Sequence, residues 1–217
     1  MSFWDICTQL AGGMLTSLAI FVLTLLFSLP LGLLVAFGRM NKHAFIRIPV
    51  KIYISIMRGT PLMLQLLIVY FGPYLLFGME TNSYYRFPAV IIAFSINYAA
   101  YFAEIYRAGI ESIPKGQYEA AQVLGLSRSQ TFFRVILPQV VKRILPPVTN
   151  EVITLVKDTS LAYAIAVTEM FTLAKQIAAA ETSMLPYLAA GIFYYVFNFV
   201  VAWSMEKAEK AFGYYQT

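Results

Sequence analysis

A single cysteine, Cys7, and a single histidine, His43, leave this 217-residue chain without an internal disulfide or a Cys/His cluster able to hold zinc. Charge is scarce too. Asp, Glu, Lys and Arg make up 12% of residues, against about 25% in soluble domains, while 59% are hydrophobic. A chain so poor in charge cannot cover itself with a water-facing surface, so one membrane domain over residues 1–217 is expected. No Gly-x-x-x-x-Gly-Lys-Ser/Thr loop is present, which excludes ATP hydrolysis through that phosphate cradle. No internal repeat, low-complexity linker or aromatic-and-basic nucleic-acid module appears. His43 lies among basic residues and reads as a solvated loop residue.

What is present is long apolar runs. Residues 12–38, 60–79, 87–103 and 183–205 contain no charge, and a helix needs about 20 mostly apolar residues to cross a bilayer. The run from Gly12 is too long for a signal-peptide core and lacks a basic stretch before it, so it is expected to be retained as the first span. A fifth span over about 144–167 has the length but carries Glu151, Lys157 and Asp158. Five spans with the polar stretch 116–138 in the cytosol put 13 basic residues inside and only Arg86 and Lys175 outside. The amino terminus is then outside and the carboxyl terminus cytosolic. The net charge of +5 follows from this topology and from anionic lipid, with no need for nucleic acid.

Residues 116–138 form the main polar island. Pro114 suits a first helical position, 117–124 lack helix breakers, and Gly125 can close the helix in the left-handed conformation. Ser127 and Gln130 then have the spacing of a capping box, so two helices meet at a glycine corner. Glu119-Ala120-Ala121, Gly125 and Ile136-Leu137-Pro138 resemble, in spacing, the EAA loop of permease subunits of ABC importers. The resemblance implies an all-α transmembrane fold of the type I importer class, with five spanning helices and a cytosolic coupling helix in a loop of about 111–130. Glu119, Ala120, Ala121 and Gly125 are implied to dock on a separate ATPase.

A second segment narrows the subgroup. Arg58-Gly59-Thr60-Pro61-Leu62, with Gln65 following, resembles the second span of permeases for polar amino acids, and residues from Tyr98 to Gly116 resemble the subgroup's third span running into its loop. The resemblance covers about residues 53–165; the ends match only in hydropathy. Thr60-Pro61 disfavours helix at Thr60 and starts a new one at Pro61, so Arg58, Gly59, Thr60 and Pro61 read as a hinge in preference to a substrate contact. Arg58 is expected at headgroup level.

Polar groups that lipid would penalise mark the expected substrate path. Glu151 and Asp158 are seven residues apart, on one helical face with Thr154 between them, about 10 Å and 20 Å above a span start near Ile144. They are expected to line one cavity. Glu151 has no opposite charge on its own face, so a cationic ligand or a partner helix is expected to compensate it. Lys157-Asp158-Thr159-Ser160-Leu161 resembles a recurrent segment of amino-acid permeases. A break there would let Asp158 or Ser160 cap a half-helix whose free donors attract a carboxylate. The other reading makes Lys157 and Asp158 a neutralising pair between helices. Asn97 and Tyr101, four apart, either face the same cavity or glue helices together.

The function implied is the permease subunit of a bacterial amino-acid importer in the cytoplasmic membrane, with no covalent chemistry of its own. The expected partners are a second permease copy or close homologue, an ATPase dimer that holds ATP and Mg, and an extracytoplasmic amino-acid-binding protein. Glu151 tilts the substrate toward arginine, lysine or histidine, with cystine or glutamine next. An ion-coupled secondary transporter is the alternative of another class, with Glu151 and Asp158 as ion ligands.

Overall fold

In the computed structural model, which describes residues 2–79 and 82–211, Ser2 and Asp5 open the first helix with a reciprocal capping box. The Asp5 amide donates to Ser2 Oγ at 3.3 Å and the Ser2 amide to Asp5 Oδ2 at 2.9 Å. Helix α1 (Phe3–Arg39) is about 55 Å long at about 1.5 Å per residue, well beyond a hydrocarbon core of about 30 Å. It contains the first expected span. The third lies within α4 (Arg86–Glu111), and the fourth, 183–205, begins two residues before α9 (Leu185–Ala211). These three helices are each long and apolar enough to cross a membrane.

The second span differs from expectation in its approach. Residues from Ala44 to Gly59 form a separate helix, α2, before α3 (Leu62–Phe77), and the two are bent by 111°. Thr60 and Pro61 are extended, since the proline ring disfavours helix in the residue before it, and α3 starts one residue after Pro61. Pro114 likewise stands just ahead of the coupling helix, α5 (Lys115–Val123), instead of in its first turn.

The fifth span is also redrawn. Four-residue α6 (Arg128–Thr131) runs through a π-helical turn, Phe132–Ile136, into α7 (Leu137–Asp158), and the chain then tightens into a 3-10 helix over Thr159–Ile165. Ala166 closes it in the left-handed region at φ +55°. The α-helix thus begins seven residues earlier than expected and stops at Asp158. A further helix, α8 (Met170–Glu181), follows, and its 12 residues cover only about 18 Å. No strand occurs among the described residues.

Helix α4 is the central element. Val90, Phe94, Tyr98 and Phe102 are buried along it, packed with Ile20 of α1, Leu66 of α3 and Leu155 of α7. Small residues let the backbones approach: a side-chain carbon added to Gly32 of α1 would lie 2.8 Å from Phe102 Cβ and 3.2 Å from the Ala99 carbonyl oxygen.

Candidate functional site

Between α4 and α7, a cavity of about 510 Å³ is lined by Arg58, Tyr101, Glu104, Arg107, Arg143 and Glu151, among others. Gly109 sets the crossing, because a β-carbon there would meet Ile144 Cγ2 at 2.2 Å. Three arginines and two carboxylates therefore share one wall system. Glu104 is the most heavily engaged: Arg107 Nη2 donates to it at 2.7 Å, Arg39 Nε stands 3.5 Å away and Arg58 Nη1 3.9 Å. Arg58 also stacks over the Tyr101 ring at 5.3 Å. Arg143 donates to the Ser112 carbonyl and hydroxyl, which ties α7 to the end of α4.

Several expected site residues are brought together here and others are not. Glu151 and Tyr101 line the cavity, and so does Arg58, because the bend after Gly59 sets the end of α2 beside α4. Arg58 of α2 thus shares the cavity with Glu151 of α7, a cation that the helical face of Glu151 by itself does not show. Asn97 does not reach the cavity. It is buried, and its Nδ2 donates to the Met57 carbonyl at 3.0 Å and to Gln65 Oε1 at 2.9 Å. Gln65 in turn donates to Met57 O and to Thr60 Oγ1. This amide pair takes up carbonyl groups freed where the helix breaks, so Asn97 and Gln65 hold the bend to α4.

Asp158 is likewise not in the cavity with Glu151, and it does not cap the following turn. Its Oδ2 accepts the Tyr98 hydroxyl at 2.7 Å, across to α4. No free turn needs a cap there because the backbone continues in a right-handed 3-10 form. Thr159 and Ser160 instead donate back to the Val156 and Lys157 carbonyls at 2.8 and 2.7 Å. Thr154 donates to the Asn150 carbonyl at 2.9 Å, one turn back on its own helix. Lys157 is exposed.

Sequence reasoning missed two carboxylates. Glu104 sits three residues before Arg107 on one face of α4, a spacing that signals a local pair but says nothing of Arg39 and Arg58 on other helices. Glu169, fully buried, caps α8: the amides of Phe171 and Thr172 donate to it at 2.8 and 2.7 Å. Ser17 of α1 and Tyr194 of α9 donate to it as well, each at 3.2 Å. The helix break anticipated after Asp158 is therefore followed by a capped half-helix, but 11 residues later and with Glu169 as its cap.

At the other end of the molecule, α5 closes with the paired hydrogen bonds of a Schellman turn, Gly125 N to Gln122 O at 3.0 Å and Leu126 N to Ala121 O at 3.1 Å, with Gly125 at φ +73°. Ser127 and Gln130 cap α6 reciprocally. Ala121 is buried, Glu119 and Ala120 face outward, and Val123 and Leu124 are 88% and 78% exposed at the tip of the corner.

Residues 28–213 match the family described as binding-protein-dependent transport system inner membrane component. The chain is 39% identical to the L-cystine transport system permease protein TcyB of Bacillus subtilis, over 93% of this chain and 84% of that protein. It is 37% identical to the arginine transport system permease protein ArtQ of the same organism, over 91% of this chain and 90% of that one. A solved amino acid ABC transporter with histidines superposes with a TM-score of 0.86 at 30% identity, covering 97% of this chain and 99% of the other.

Proposed function

The chain belongs to the family of binding-protein-dependent transport system inner membrane components, and on that footing we propose how this amino-acid ABC permease takes its substrate. The observation that carries the reading is that Glu151, Arg58 and Arg143 line one cavity of about 510 Å³. An amino acid is a zwitterion, and such a wall supplies a carboxylate for its ammonium group and guanidinium forks for its carboxylate. A cationic side chain would need a second free carboxylate. Glu104 is already held by Arg39, Arg58 and Arg107, so the lean toward arginine, lysine or histidine gives way to a neutral polar amino acid, with cystine first and glutamine next. The likeness to a cystine permease supports this order, and the likeness to an arginine permease supports the cationic reading.

Membership of this family removes the ion-coupled alternative, and permease subunits of this kind are not enzymes. In the proposed cycle, two permeases pair in a bacterial cytoplasmic membrane with the amino terminus outside and the carboxyl terminus cytosolic. An ATPase dimer carrying ATP and Mg docks at Glu119, Ala120, Ala121 and Gly125, and a soluble binding protein delivers the substrate from outside. The exposed Val123 and Leu124 beside these residues support the docking, and the 13 to 2 division of basic residues supports the orientation. ATPase closure moves α5, and the cavity between α4 and α7 changes access.

Uptake into proteoliposomes containing the ATPase and saturating binding protein tests the substrate assignment. A charge-assisted hydrogen bond is worth about 1.5 to 3 kcal/mol, so Glu151→Gln is expected to lower apparent affinity roughly tenfold to a hundredfold. If Glu151 holds the ammonium group, cystine, glutamine and arginine suffer alike. A loss confined to arginine would restore the cationic reading.

A further inference from the structure

We infer that α2 lies in the plane of one leaflet and docks anionic phospholipid, with Arg47 and Lys51 on the headgroups and an acyl chain in the elbow between α2 and α3. Three faces of α2 carry the inference. Ile54, half-buried Val50 and Met57 pack against α1 and α4. Phe45, Ile48, Ile52 and Ile56, spaced by three, four and four residues, form a second stripe that is 50% to 81% exposed. Arg47 and Lys51, one turn apart, form a third face, with Lys42 just ahead of the helix. No Asp or Glu occurs between Asp5 and Glu80, so nothing nearby in sequence neutralises them.

Neither water nor the hydrocarbon centre suits this helix. Water would meet four large apolar side chains, and the bilayer centre would meet two cations. The boundary between headgroups and acyl chains satisfies both faces. The 111° bend supplies the geometry, because α2 then runs roughly along the leaflet when α3 crosses it. In the elbow lies a groove of about 300 Å³ lined by Ile56, Leu64, Ile68, Val69 and Ile96, with Thr60 among its few polar side chains, which suits a length of acyl chain. A second copy of this chain is the other candidate occupant. Two-fold pairing through the stripe would bring Arg47 and Lys51 toward their own copies with no acid on α2 to offset them. The inference does not depend on which substrate is carried.

Tryptophan fluorescence in vesicles tests it. With Trp4→Phe and Trp203→Phe as background, Ile52→Trp places the sole reporter on the exposed stripe, and Ile48→Trp serves as a second position should the first misfold. Bromine-labelled phosphatidylglycerol and bromine-labelled phosphatidylcholine are compared as quenchers. Each basic residue near an anionic surface is worth roughly a fivefold factor, so about a 25-fold preference for the anionic lipid is expected. Arg47→Gln with Lys51→Gln should bring the two quenchers close to parity while both still quench. Equal quenching in the parent protein would overturn the headgroup assignment. Absence of quenching by either lipid, together with disulfide formation between copies carrying Ile52→Cys and Cys7→Ser, would overturn the lipid in favour of a second copy.

Discussion

Gly109→Ala adds one methyl group where α4 crosses α7, the two helices that carry Glu104, Arg107, Arg143 and Glu151 around the cavity. The new carbon would stand 2.2 Å from Ile144 Cγ2 and 3.4 Å from Val140 Cγ1. Reaching an ordinary contact of 3.4 Å requires about 1.2 Å of separation at Ile144, and a β-branched side chain has few rotamers with which to retreat. Overpacking of this kind costs about 1 to 3 kcal/mol. Alanine in place of glycine within a helix offsets about 0.5 to 1 kcal/mol of that. A net destabilisation of up to about 2.5 kcal/mol is therefore expected, read as a lower melting temperature of the solubilised protein and as slower uptake, because the cavity walls separate. Gly191→Ala, on α9 with nothing within 4 Å of the added carbon, is the control and should be neutral or slightly stabilising. Combining Gly109→Ala with Ile144→Ala should recover most of the clash as a favourable coupling of about 1 to 2 kcal/mol in a double-mutant cycle. Wild-type melting and uptake for Gly109→Ala, or an uncoupled cycle, would refute the close crossing as the determinant of cavity shape.

Gly125→Val tests the coupling corner. With no atom within 4 Å, the substitution acts through the backbone alone, and φ +73° costs an ordinary residue about 1 to 2 kcal/mol, more for a β-branched one. Insertion should survive while ATPase association and substrate-stimulated hydrolysis fall; unchanged association would remove α5 as the docking helix. Orientation is tested in intact cells after Cys7→Ser. Ser83→Cys should react with an impermeant thiol reagent and Gln117→Cys should not, and the reverse pattern would invert the topology.

The elements legible in the sequence are those whose causes lie within one or two turns of chain. Runs without charge place α1, α3, α4 and α9 because lipid admits only backbone that bonds to itself, a constraint written residue by residue. The corner at Gly125 and the box of Ser127 and Gln130 are local too, since φ and capping involve neighbours three or four residues away. Family membership was readable for the same reason, being carried by short segments of fixed spacing.

Tertiary structure decided what those residues meet. The helical face of Glu151 lists only its own residues, whereas Arg58 reaches the same cavity from α2 through a bend whose angle no local signal sets. Asp158 pairs with Tyr98 across 60 residues, and Glu169 with Ser17 across 152, contacts fixed by how helices rotate and cross. Asn97 and Gln65, individually ordinary polar residues on two spans, become the brace of the bend only when α3 and α4 stand side by side. Burial gives these pairings their energy, since a polar group removed from water must find whichever partner the packing brings within reach.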